Sequence, residues 1–387
     1  MKSIIIAIIT FATLVGWSTS HAQTDDEIKK QIVKQFPQAD SNQDGTLSEK
    51  EHKAARDLAL KRFPQLDRDG DGELSVAEQH AMLKMAKARM TQKKGQSKNG
   101  QARGNKWGNN LPAPQQANVQ YGDHQRHVLD LWMAESKDPT PLAIYIHGGG
   151  FTSGSKEKLR EKTLNDLLAA GVSVAAINYR YRTIDPLPAA HHDARQALQF
   201  IRSKAKDWKI DKERVAIFGG SAGAQISMWL AFSDDMAKPD SKNPVEREST
   251  RVTCVATAGG QSSMEQKYWK QHLATFGIPF DDKEFLSRFK TETVDEAEEI
   301  ARSISAIPLM TSDDPPIFMS YGFGPDKKPP SQQDKMKNFI LHHVQFGIDL
   351  KKKADEVGVE NHLSYPGSNS HYRSNVKFLV DKLTAKK

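Results

Sequence analysis

From Leu111 onward, short apolar runs alternate with longer segments in which apolar positions recur every three or four residues. The runs are LAIYIH (142–147), VSVAAINYR (172–180), VAIF (215–218), TCVATA (253–258), PIFMSY (316–321) and HLSYP (362–366). They are rich in β-branched and aromatic residues, and Gly, Pro or polar clusters flank them, so each reads as a strand. Between them lie helical patterns such as AGAQISMWLAF (222–232), with Ile226, Trp229 and Leu230 on one side, and NVKFLVDKL (375–383). Strand and helix in alternation predict an α/β domain with a mostly parallel sheet over 111–387.

Upstream the pattern changes twice. Residues 91–110, TQKKGQSKNGQARGNKWGNN, have no apolar period and read as a flexible, solvated basic linker. Residues 23–90 are rich in charge, with an apolar stripe Ile28, Ile32, Val33, Phe36 and a second on Val76, Leu83 and Met90. These predict a small all-α domain. At the start, Lys2 precedes an apolar run, Ile4–Val15, that is too short to span a bilayer, and Ser20-His21-Ala22 follows with small residues at a cleavage position. The expectation is a signal peptide over 1–22, cleaved after Ala22, and a secreted or periplasmic product without a membrane anchor.

Bulk properties add little to this. The 387 residues are 37% hydrophobic, enough for a sizeable core, and carry a formal charge of +7. Nothing beyond that mild basicity points to nucleic acid. The single cysteine, Cys254, forbids an internal disulfide and lies in an apolar run, where a buried, inert thiol is expected. Oligomeric state is not encoded in any of these features.

Two segments in the small domain carry metal chemistry. DSNQDGTLSEKE (40–51) and DRDGDGELSVAE (67–78) both fit D-x-[DN]-x-[DN]-G-x5-E. Calcium takes six to eight hard oxygen ligands in flexible geometry, and this spacing supplies them. Asp40, Asn42, Asp44, the Thr46 carbonyl and Glu51 are the donors of the first loop. Asp67, Asp69, Asp71, the Glu73 carbonyl and Glu78 are those of the second. Gly45 and Gly72 permit the sharp turns. The segment resembles an EF-hand pair, with an unusually short connection in which Pro64 marks a break. In an exported protein, a stably occupied structural module is the expected role.

The large domain carries a second constellation. Gly219-Gly220-Ser221-Ala222-Gly223 fits G-x-S-x-G between a strand and a helix, the context a nucleophile elbow needs. His147-Gly148-Gly149-Gly150 follows the strand LAIYI, and a glycine run there exposes backbone N–H groups able to receive an oxyanion. Gly148, Gly149 and Ala222 are the candidate donors, and His147 is read as structural. Residues 118–385 resemble the α/β-hydrolase fold, close to hormone-sensitive-lipase-like and bacterial carbohydrate esterases. The resemblance rests on YIHGGGF (145–151), INYRY (177–181), PLPAAHHDARQAL (186–198) and FGGSAGA (218–224). Two departures stand out: Gly220 replaces the Asp common before the serine, and a G-x-x-D-x-x-V-P acid loop is missing.

In this fold the triad follows the chain order serine, acid, histidine. His371, in PGSNSHYRS after the last strand, is the expected base. His342 and His343 lie in the helix-like run KNFILHHVQFGIDLKKK and are expected to pack or face solvent, while His191 and His192 precede Ser221. For the acid, Asp326 in GFGPDKKPPS is favoured because it follows the carboxyl end of PIFMSY. Asp313 and Asp314 sit at the wrong end, and Asp334 is further along. The resemblance implies ester hydrolysis through an acyl-enzyme, needing no cofactor for catalysis. An ester of an acylated polysaccharide is the expected substrate. The alternatives are a calcium-stabilised binding protein on a hydrolase scaffold and a peptidase of the same fold. Tyr179, Arg180, Tyr181, Arg182, Gln261, Ser262 and Ser263 are candidates to line the cleft or to pack beside it.

Overall fold

The computed structural model describes residues 111–273 and 281–385, together with Thr46, Ser48 and Glu51. The chain divides into two units, Met1–Arg103 and Gly104–Lys387. The expected signal peptide, the expected linker and the candidate calcium ligands Asp40, Asn42, Asp44, Asp67, Asp69, Asp71, Glu73 and Glu78 lie outside the described residues.

In the second unit eight strands form one sheet: β1 (Gln116–Gln120), β2 (Val128–Trp132), β3 (Thr140–Ile146), β4 (Ser173–Ile177), β5 (Ile210–Gly220), β6 (Cys254–Ala258), β7 (Ile317–Ser320) and β8 (Asn361–Ser364). Their order is β1-β2-β4-β3-β5-β6-β7-β8. β2 runs antiparallel to both β1 and β4, and every other pairing is parallel. Six strands coincide with the apolar runs of the sequence. β1 and β2 were not marked there, because an antiparallel entry pair with Asp130 in its middle carries no continuous apolar run.

Among the described residues ten helices accompany the sheet: α1 (Glu161–Ala169), α2 (Ala189–Ser203), α3 (Ala222–Phe232), α4 (Gln266–Leu273), α5 (Asp282–Phe289), α6 (Val294–Ser303), the single turn α7 (Ala306–Leu309), α8 (Gln333–Leu341), α9 (Gln345–Val357) and α10 (Asn375–Thr384). Period-two alternation sends Leu142, Ile144 and Ile146 of β3 into one core with α2, α3 and α9, and Ala143 into another with α1 and α10. All eleven residues of α3 are buried, as expected of a helix that is apolar around its circumference. Asp130 is buried with Lys156, whose Nζ lies 2.6 Å from its Oδ2, so the charge in β2 is compensated. Cys254 is buried, and desolvation pushes its thiol pKa well up. Among the described residues no helix is long and apolar enough to cross a membrane.

Candidate active site

Ser221 sits at the joint between β5 and α3 with φ 54 and ψ −122, a conformation costly for a residue with a side chain. Two glycines make the joint possible. A Cβ on Gly219 would lie 2.5 Å from the Ile146 carbonyl oxygen, and one on Gly223 would lie 2.0 Å from the same atom. Only bare glycines let α3 run so close to the end of β3. Gly220 differs: the nearest atom to an added Cβ is the Ala258 carbonyl oxygen at 3.6 Å, an ordinary contact, so this position does not demand glycine. The Ser221 N–H donates to the Ala258 carbonyl at 2.9 Å, tying the elbow to the end of β6.

His342 Nε2 lies 2.9 Å from Ser221 Oγ. Its Nδ1 lies 2.9 Å from the main-chain carbonyl of Asn338, one helical turn back. A carbonyl can only accept, so Nδ1 carries the proton and Nε2 presents a lone pair to the serine hydroxyl. Burial lowers the His342 pKa, partly offset by the Asn338 carbonyl. Gly259, at φ +57 after β6, forms the bed for the ring; a Cβ there would lie 3.0 Å from His342 Cδ2.

This corrects two sequence expectations. His371 is exposed, and its ring lies against Tyr372 and His362 at 4.6 and 6.0 Å. Tyr372 belongs to the core on the α1 and α10 side, away from the α3 face. Asp326 is exposed in a turn and makes no hydrogen bond or ion pair among the described residues. His342 was expected to pack or face solvent because the run 337–353 reads as one helix. In the structure it is two, α8 and α9, and His342 caps the first with φ −120 and ψ 26. No Gly or Pro marks the break; the adjacent pair of histidines was the only available signal.

The glycine turn stands on a polar pillar. His147 is fully buried, stacks on Tyr179 at 4.2 Å and places Nδ1 2.8 Å from the Gly148 carbonyl. Desolvation pushes its pKa down to about 4, so it stays neutral. Tyr179 donates its hydroxyl to the His147 carbonyl, and Arg126 bonds the carbonyls of Tyr179 and Gly154. The structural reading of His147 holds, and Tyr179 packs beneath the turn. Arg180 pairs with Asp193 and Asp185. His191 is buried against Gln225, its pKa also pushed down to about 4 by desolvation.

The Gly149 carbonyl accepts the N–H groups of Thr152 and Ser153, both at 3.1 Å. The Gly148 carbonyl faces His147. In a planar trans peptide the following N–H points the opposite way, so the N–H groups of Gly149 and Gly150 turn outward from the loop. Gly148 instead packs on the elbow; a Cβ there would meet the Gly220 carbonyl oxygen at 2.6 Å.

A cleft of about 190 Å³ opens at Ser221, lined by Gly150, Ala222, Gln261, Met264, Trp269 and Leu341 among others. Gly148 and Gly149 are not among its described lining residues, whereas Gly150 is. Arg182 and Gln261 line it as the sequence allowed. Ser262 turns its hydroxyl to the Phe346 carbonyl, and Ser263 bonds Glu265. In the small domain, Glu51 Oε2 accepts both the N–H and the hydroxyl of Ser48, at 3.0 and 2.6 Å.

Comparison with known proteins follows this geometry. Esterase LipC of Mycobacterium tuberculosis is 26% identical over 207 residues, covering 53% of this chain and 49% of LipC. The probable carboxylic ester hydrolase LipM of the same organism is 25% identical over 208 residues, 53% of this chain and 46% of LipM. The chain thus spans about half the length of the curated relatives it matches. Among solved structures, a truncated carbohydrate esterase from gut microbiota shares the fold with TM-score 0.55 at 22% identity, covering 70% of this chain and 96% of that one. A bifunctional GH43-CE protein of Bacteroides eggerthii does so with TM-score 0.51 at 18% identity, over 69% of this chain and 37% of that one. From β2 through most of α8, residues 129–339, more than half of the chain, match a single family model, and the chain belongs to that family, BD-FAE.

Proposed function

We propose that the chain hydrolyses carboxylic esters through an acyl-enzyme formed on Ser221. The observation that carries this is the 2.9 Å contact between Ser221 Oγ and His342 Nε2 at a strained elbow beside a cleft. His342 takes the hydroxyl proton as Oγ attacks the ester carbonyl, and later gives it to the leaving alcohol. Water then repeats the cycle in reverse. The N–H of Ala222, with those of Gly149 and Gly150, receives the oxyanion; each such donor contributes roughly 3–4 kcal/mol to the transition state. Gly148 supports the elbow. The place of the third triad member is taken by the Asn338 carbonyl, which holds the tautomer without neutralising the imidazolium.

The test is intact-mass analysis after treatment with a fluorophosphonate, beside Ser221→Ala. A single adduct that the mutant lacks supports the reading. Absence of an adduct on the folded protein favours the second reading, a non-catalytic binding protein on this scaffold. One observation speaks for that second reading: among the described residues no carboxylate engages His342 Nδ1.

Three further parts of the proposal rest on sequence. Esters of acylated polysaccharide suit an exported enzyme, and the carbohydrate esterase of like fold is compatible with them. Export follows from residues 1–22. The two acidic loops would hold calcium through all-oxygen donor sets at the spacing such a loop requires. Bound calcium would supply rigidity to the small domain; no step of the hydrolysis uses it.

A further inference from the structure

The cleft at Ser221 has an unbalanced charge. Among its described lining residues are Arg182, Arg288 and Lys337, against the single carboxylate of Glu284. Glu284 is shared: its Oε1 lies 3.3 Å from Arg288 and 3.5 Å from Lys337. Among the described residues no hydrogen bond or ion pair engages the Arg182 guanidinium, although it is only partly exposed. Burial lowers the Arg288 pKa, Glu284 opposes the shift, and Arg182 is close enough to add a smaller repulsion. A half-buried guanidinium with no partner, facing a second one across a small cleft, is costly unless something anionic joins it.

Resting on the esterase reading, the geometry points to substrates whose ester group is accompanied by a free carboxylate, bound by Arg182 with Arg288 while Ser221 meets the ester carbonyl. A guanidinium presents a planar fork that matches a carboxylate at both oxygens. The cleft already accommodates this chemistry, since Glu284 seats its own carboxylate between Arg288 and Lys337. A second carboxylate would complete Arg182 and reduce the surplus positive charge. At about 190 Å³ the cleft is smaller than the ~300 Å³ at the lower end for drug-sized ligands, so the carboxylate must lie within a few bonds of the ester. Partial esters of short dicarboxylic acids carry it on the acyl side, and acylated uronic or hydroxy acids on the alcohol side.

The test uses full-length Ser221→Ala, which cannot turn over, and calorimetric titration at low ionic strength. Monomethyl succinate is compared with dimethyl succinate for the acyl side. 3-Acetoxypropanoate is compared with its methyl ester for the alcohol side. The expected result is at least about tenfold tighter binding of the anion in one pair, the ratio that one charge-assisted hydrogen bond supplies. Arg182→Gln in the same background should erase the preference and Arg182→Lys should retain part of it. Lys162→Gln, on the outer face of α1, should leave it intact. No preference in either pair, or one that survives Arg182→Gln, overturns the inference. Hydrolysis of neutral 4-nitrophenyl acetate by the wild type reads the esterase proposal separately, so either idea can fail without the other.

Discussion

Replacing His342 by Ala, beside His371 by Ala, divides the two candidate bases. The structure gives His342 a 2.9 Å contact with the nucleophile and gives His371 only ring contacts with Tyr372 and His362. A positioned general base contributes about 10²–10⁴ in rate, which is about 3–5 kcal/mol of barrier. His342→Ala should therefore lower kcat/KM for 4-nitrophenyl acetate by that factor, and should slow fluorophosphonate labelling of Ser221 comparably. Lost stability cannot produce the same result. His342 makes one side-chain bond to the backbone, worth about 1 kcal/mol, and the exposed His371 should change stability by no more than about 0.5 kcal/mol. Both variants should accordingly unfold in urea near the wild-type midpoint. The reasoning is refuted if His371→Ala loses activity a hundredfold while His342→Ala keeps it.

The acid limb of kcat/KM against pH should have its midpoint below 6.5, because burial lowers the His342 pKa and only the neutral ring accepts the serine proton; a midpoint above 7 would contradict this. Gly259→Ala should reduce kcat roughly tenfold, since its Cβ would crowd His342 Cδ2 at 3.0 Å and its φ of +57 disfavours a side chain; a kinetic comparison with unchanged KM checks it. Buried His147 and His191, both pushed to about 4, stay neutral in the folded state while their unfolded counterparts protonate near 6.5. Their stabilisation is complete above pH 6.5 and lost as pH falls toward 4, by roughly 3 kcal/mol apiece, which urea titrations at pH 7 and 4.5 would detect. Chelating calcium should lower the melting temperature of the small domain alone, as seen by calorimetry of the full chain, and leave ester hydrolysis within about twofold.

Much of the fold was legible because parallel strands are buried on both faces and therefore read as unbroken apolar runs. β1 and β2 were missed for the converse reason. The elbow and the glycine turn were legible too, since their glycines are required locally: at 219 and 223 a Cβ would collide with Ile146. The histidine was not legible. Its position depends on where α8 stops, and that is set by the packing of His343 and Val344 into the core, with no residue at the junction that itself breaks a helix. No acidic residue in the sequence marks the partner of His342, because the group at its Nδ1 is a main-chain carbonyl.

That partner is written in the path of the chain and in no codon of its own. Every residue has the carbonyl that Asn338 contributes, so no exchange of its side chain can delete the contact. A saturation scan of this domain would therefore find two intolerant catalytic side chains and no matching acid, and position 338 would tolerate many residues while rejecting proline. Damage to the third contact would surface instead as scattered intolerance to helix-breaking changes along residues 335–341, a signature that a search for essential acids would pass over.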